Sequence, residues 1–200
     1  MTSEDPAGTQ RVHDPRVLRA IAHPVRNRIL GELHAAGALR AADIARELGI
    51  PANQASFHLR QLAKYGVIEE AVAEGRDRRD RVWRPVAERG LRIDLRDLAE
   101  VPGGPAAVGV WRRQAADWAH QVVDAAYSDR VDGRDQVSIT ESALRLTDEE
   151  AREFATELTE VLDRWSQRTR DQEGTRRTFL LLQLLQPYPE PPPAPDDATG

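Results

Sequence analysis

The stretch "ADIARELGIPANQASFHLRQLAKYGVIEE", residues 42–70, decides the fold. Two runs of helical apolar spacing flank a Gly-Ile-Pro break, and beyond Tyr65 the spacing turns strand-like. Ile44, Ala45 and Leu48 give the first run an inward face. Ala55, Leu59 and Leu62 do the same for the second. Ala45 is small where the two helices would cross, and Gly49 supplies the positive φ that a sharp turn requires. The spacing predicts helices over 41–48 and 52–65, joined at a steep angle as a helix-turn-helix.

Upstream, Asp14-Pro15 is a helix start, a carboxylate cap followed by proline at the first helical position. Val17, Leu18 and Ile21 form an apolar face that His23-Pro24 interrupts. A helix restarts with Val25, Ile29, Leu30 and Leu33 and stops near Gly37. Downstream, strands are expected over Val67–Ala73 and Arg81–Val86, separated by an arginine-rich tip, EGRDRRD. That hairpin would be a wing beside the second helix.

These segments, "RAIAHPVRNRILGEL", the opening stretch and "RVWRPV", together resemble the winged helix-turn-helix of ArsR-type bacterial transcription regulators across residues 14–90. The resemblance is carried by His23-Pro24, Arg26, Ile29-Leu30, Ser56, His58, Leu59, Leu62 and Gly66-Val67-Ile68. It implies a homodimeric DNA-binding regulator, often one released from its operator by an effector. Phe57 stands where the family often has a basic residue. Arg40 stands where a Ser or Thr helix cap is usual.

The residues support a DNA interface on their own terms. With Ala55, Leu59 and Leu62 inward, the outer face of 52–64 is expected to show Asn53, Gln54, Ser56, Phe57, His58, Arg60, Gln61 and Lys64. Such side chains can hydrogen-bond base edges or phosphates in a major groove. Asn53 and Gln54, at the leading end, are the candidates for reading bases. Arg76, Arg78, Arg79 and Arg81 on the wing would hold the backbone or enter the minor groove. A polar helix face and a basic hairpin tip are also what ordinary solvated surface looks like. The ordered combination of turn, polar helix and basic wing favours DNA.

Charge is unevenly divided. Residues 1–100 carry 17 Arg or Lys against 15 Asp or Glu, a balance of +2; residues 101–200 carry 11 against 18, a balance of −7. A weakly basic module is thus joined to an acidic one. Cysteine is absent, which excludes disulfides, thiolate metal sites and cysteine nucleophiles. No apolar run approaches the ~20 residues of a membrane helix, and the N-terminus lacks a secretory pattern. A cytoplasmic protein with no membrane partner and no cofactor is expected.

The expected fold class is mainly α with small β content: an N-terminal winged helix-turn-helix and a C-terminal helical dimerisation or effector domain with a small sheet. Residues 1–13 read as a flexible arm, 14–100 as the DNA-binding domain and 101–105, VPGGP, as a linker. Residues 106–186 read as helix, strand, helix and strand, and 187–200 as a proline-rich disordered tail. The helices are expected over 106–128 and 148–169, with Thr147 and Glu150 forming a capping box. Strands are expected near 137–146 and over Phe179–Leu185, the latter buried on both faces.

Val108, Trp111, Ala115, Trp118 and Val122 alternate at steps of three and four, a coiled-coil-like seam. It is read as the homodimer interface, against the alternative of packing on the chain's own core. Asp117, His120 and Asp124 share a spacing that can hold a metal, but a solvated face accounts for them. A small-molecule effector between the tryptophan-lined helices is a further expected partner, of chemistry the sequence does not name. The competing function is a winged-helix protein-interaction module. An enzyme is disfavoured, because the chain has no phosphate-cradling glycine loop and no HExxH motif.

Overall fold

The computed structural model describes residues 8–71, 81–128, 138–170 and 177–187. The described part opens with a short strand, β1 (Gln10–Val12). Helix α1 (Pro15–Ala22) starts where Asp14 accepts a hydrogen bond from the Arg16 backbone N–H at 2.8 Å. His23, extended at ψ 127°, separates it from α2 (Pro24–Ala36), and Gly37 ends α2 at φ 86°. Proline at the first position of each helix costs nothing there, since that N–H has no intrahelical partner.

A two-residue strand β2 (Leu39–Arg40) leads into α3 (Ala41–Leu48). Asp43 accepts the Arg40 N–H at 3.4 Å, a bond that serves the N-cap amide and not the first-turn N–H groups that a Ser or Thr cap would hold. Gly49 turns the chain with φ 65° into α4 (Ala52–Lys64), and Gly66, at the same φ, turns it again into β3 (Ile68–Ala71). Strand β4 (Val82–Pro85) returns antiparallel to β3 and also pairs with β2, giving the order β2-β4-β3. This is a winged helix-turn-helix. The tip of the wing, with Arg76, Arg78 and Arg79, lies outside the described residues.

Beyond the wing, β5 (Leu91–Ile93) runs parallel to β1, Gln10 opposite Leu91 and Val12 opposite Ile93. The flexible arm expected over residues 1–13 is therefore corrected from residue 10 onward. Val12 is buried there, and the Gln10 Nε2 donates to the Gly66 carbonyl at 3.0 Å. Residues 1–7 lie outside the described residues. A short helix α5 (Leu95–Ala99) follows, its start held by Asp94, which accepts from the N–H groups of Arg96 and Asp97.

The VPGGP segment is a tight turn. Gly103, at φ 79°, leads into α6 (Gly104–Ala126). A Cβ on Gly104 would come within 1.7 Å of the Leu98 carbonyl oxygen, so only glycine lets α6 start this close to α5. Leu98, Ala107 and Val108 belong to the same core as Leu18, Ile29, Leu33, Ile44, Leu59, Leu62 and Trp83. The root of α6 thus completes the core of the N-terminal module.

Helix α7 (Asp148–Thr169) carries the expected capping box: Glu150 accepts the Thr147 N–H at 2.7 Å and Thr147 Oγ1 accepts the Glu150 N–H at 3.2 Å. Its far end docks near α2, where Arg170 donates to the Glu88 carbonyl at 2.8 Å. The Arg89 Nε donates to Asp163 at 2.9 Å.

Two strand expectations are corrected. Residues 138–147 and 177–187 carry no strand, and Phe179 through Leu185 are largely exposed rather than buried on both faces. An apolar run seeks burial but becomes a strand only beside an edge that can pair with it. Neither segment joins a sheet among the described residues. The small sheet therefore belongs to the N-terminal module. The proline-rich stretch 188–200 lies outside the described residues.

Candidate nucleic-acid interface

The geometry of α4 follows from what it buries. Ala55, Leu59 and Leu62 are fully covered against α2 and α3. Their phase leaves Asn53, Phe57, Arg60 and Lys64 in one exposed stripe at steps of four, three and four. Gln54, exposed, and Gln61, half-buried, flank this stripe on one side, and half-buried Ser56 borders it on the other. The helix contains no acidic residue, so its outer face is positive at the end bearing Arg60 and Lys64.

The two leading amides differ in what they leave free. The Asn53 Oδ1 accepts the backbone N–H of Gln54 at 2.9 Å, because Pro51 at the N-cap position offers no side-chain oxygen. That bond occupies the Asn53 carbonyl oxygen and leaves its amide group as a donor. The Gln54 side-chain amide bonds no group among the described residues. It keeps both donor and acceptor for an adenine edge.

His58 departs from the expected outer face. It is 6% exposed, with its ring centroid 4.8 Å from that of His23 and 5.3 Å from that of Phe57. The reason lies in the spacing: His58 is three residues after Ala55 and four before Leu62, both inward. Phe57, by contrast, is 51% exposed. The Nδ1 atoms of His23 and His58 and the Arg26 Nε are buried without a hydrogen-bond partner among the described residues. Burial holds the pKa of each histidine below its ordinary value, and the neighbouring cations act in the same direction. This cluster clamps α4 to the α1–α2 corner with neutral imidazoles.

Arg81 stands at the root of the wing and pairs with Glu70 at 2.7 Å, while Arg84 pairs with Glu69 at 2.7 Å. Both pairs are exposed, where such contacts are worth about 0–1 kcal/mol. They neutralise the two acidic residues of β3. The bond from Gln10 to the Gly66 carbonyl buttresses the turn behind α4. Its only sequence signal is the alternation of Gln10 and Val12.

The proposed seam on α6 divides. Val108 is buried in the chain's own core, so it offers no surface to a partner; for this residue the interface reading is corrected. Trp111 packs against that same core. Ala115, Trp118 and Val122 are half-buried further along. Asp117, His120 and Asp124 are all exposed. Among the described residues no helix is long and apolar enough to cross a membrane.

Residues 21–71, from the end of α1 to β3, match the pattern of a helix-turn-helix domain. No curated protein matches the chain. Among solved structures, the chain is similar to the YusO protein of Bacillus subtilis, at 13% identity and a TM-score of 0.32, covering 74% of this chain and 83% of that one. It is similar to a mutant of Lactococcus lactis ZitR in apo form, at 17% identity and a TM-score of 0.32, covering 72% and 83%. A mutant MarR from E. coli complexed with operator DNA gives 14% identity and a TM-score of 0.33, covering 74% and 84%. Whole-chain likeness at this level carries no functional argument. The helix-turn-helix rests on residues 21–71.

Proposed function

We infer that the chain is a sequence-specific DNA-binding transcription regulator, acting as a homodimeric repressor of the ArsR type. The observation that carries this reading is the outer face of α4. Gln54, Phe57, Arg60 and Lys64 stand clear of the molecule on the second helix of a helix-turn-helix. In such a motif the leading residues of that helix meet base edges, and its basic residues hold phosphates. Gln54 reads a base, Asn53 donates from its free amide group, and Phe57 is placed to meet a thymine methyl. The wing, with Arg81 at its root and Arg76, Arg78 and Arg79 toward its tip, lies along the backbone or the minor groove.

The homodimer is supported by what one copy leaves uncovered. Apart from Phe57, every exposed large apolar side chain among the described residues follows position 122; Val161, Leu162 and Trp165 of α7 are among them. Exposed apolar side chains gathered on one helix in this way suit an interface. The dimer of this proposal therefore uses the far half of α6, with Trp118 and Val122, and the outer face of α7.

The exposed Phe57 also suits the competing reading, a winged helix that docks on protein. Selection of bound duplexes from a random pool separates the two. A recovered two-fold site with half-sites about 34–36 Å apart supports the regulator. A pool with no enrichment, or binding indifferent to salt, overturns it.

A further inference from the structure

We propose that the cleft between α6 and the α1–α2 pair is a binding site for an uncharged, flat aromatic molecule with fused rings. The cleft has a volume of about 610 Å³, within the roughly 300–1,000 Å³ typical of small-molecule sites. Its walls are Ile21 and Leu30 from α1 and α2, Leu91 from β5, Trp111 and Trp118 from α6, and Leu184 from the segment 177–187. Trp111 and Trp118 are two turns apart on the same side of α6, so both indoles face one chamber. Ala115 lies between them, and its small side chain keeps the space open.

The chemistry of the occupant follows from what the wall lacks. None of the lining residues is Asp, Glu, Lys or Arg. A charged molecule entering here would lose its hydration without gaining a counter-ion, a penalty that such sites do not recover. The one titratable lining residue is His34. Its Nδ1 donates to the Leu30 carbonyl at 2.8 Å, and burial lowers its pKa, so at neutral pH it adds no charge to the wall. Asn27 and Gln114 supply the remaining polar contacts, enough to orient a hydroxyl or carbonyl on an otherwise apolar ring system. The inference stands apart from the DNA reading, because ligand entry can be measured with no DNA present.

The test uses the full chain and 2-naphthol as probe, with calorimetry and the tryptophan indole N–H resonances as readouts. Saturable binding is expected, shifting the signals of Trp111 and Trp118 and leaving that of Trp83, buried on β4 outside the cleft lining, in place. 2-Naphthoate has the same rings and a negative charge, and should bind at least about tenfold more weakly. Ala115→Trp, or Ala119→Phe should the first variant not fold, fills the chamber and should abolish binding. Gly109→Ala, on the same helix but outside the cleft, should retain it. Absence of saturable binding, equal affinity for naphthoate, equal shifts at Trp83, or unchanged binding in the filled variants overturns the proposal. So does a shift of Trp111 with protein concentration alone, which would make a second copy the occupant; Trp118, which the proposed dimer also uses, does not decide this point.

Discussion

The rings of His23 and His58 lie 4.8 Å apart and tilted by 45°, one at the break between α1 and α2, the other on the inner side of α4. No carboxylate appears among the groups that shift either ring, and Arg26 adds to the positive surroundings. Protonating either imidazole would put charge where burial and a neighbouring cation both oppose it. In the unfolded chain both histidines titrate near 6.5. As pH falls below that value the unfolded state takes up protons that the folded state resists, so stability declines. Above it the linkage is absent. Thermal melts at about pH 7.5 and about pH 5.5 should show a lower midpoint at the acid end. In His58→Leu the difference should shrink, although His34, shifted the same way, retains part of it. An equal slope in the variant would refute the cluster's role.

Gln54→Ala should weaken binding to the selected site by about 1–3 kcal/mol and spare non-specific duplex. Asn53→Ala should cost less specificity, because the Asn53 carbonyl already accepts the Gln54 N–H, and some helix stability instead. Binding titrations on specific and scrambled duplexes check both. Equal losses on the two duplexes would remove Gln54 from base reading.

Arg60 and Lys64 close the positive end of the stripe. Replacing each by Ala should weaken all duplexes alike and lower the slope of log affinity against log salt by roughly one per residue. A slope unchanged in the double variant would mean that α4 does not meet phosphates.

Two glycines of α6 should respond in opposite ways. Gly104→Ala drives a Cβ into the Leu98 carbonyl and should destabilise by about 2 kcal/mol or more. Gly109 has open space around its Cα, so Gly109→Ala should stabilise the helix by about 0.5–1 kcal/mol. Urea unfolding of both variants gives the comparison. A neutral Gly104→Ala would show that the α5–α6 turn relaxes freely.

Leu162 and Trp165 are 43% and 56% exposed on the outer side of α7. Changing both to Asp should turn a dimer into a monomer with unaltered helix content, as read by light scattering and circular dichroism. A dimer that survives the change would place the partner elsewhere.

The elements that the sequence announced are those whose signals are local. Asp14-Pro15, Gly37, Gly49 and the Thr147–Glu150 pair mark helix ends through bonds made within four residues, and each helix ends where they indicate. Strands β1 and β5 were illegible for the opposite reason. Each has three residues, and the partner lies about eighty positions away. The outer face of α4 was legible except at His58, whose inward phase could have been counted from Ala55 and Leu62. The seam on α6 misled at Val108, because a heptad-like stripe reports a buried face without saying whose chain buries it. For Val108 the answer is its own. Residues 177–187 misled in the same way: their apolar content signals a need for cover that this single copy does not supply.

Helix α6 is gripped at one end and loose at the other. Gly104, Ala107 and Val108 are clamped in the core, while Val123 and Tyr127, some twenty residues on, stand in solvent. Such a rod is a lever with its fulcrum under α1. A load settling at the tip would bear on α1, and so on the His23 corner against which α4 is packed.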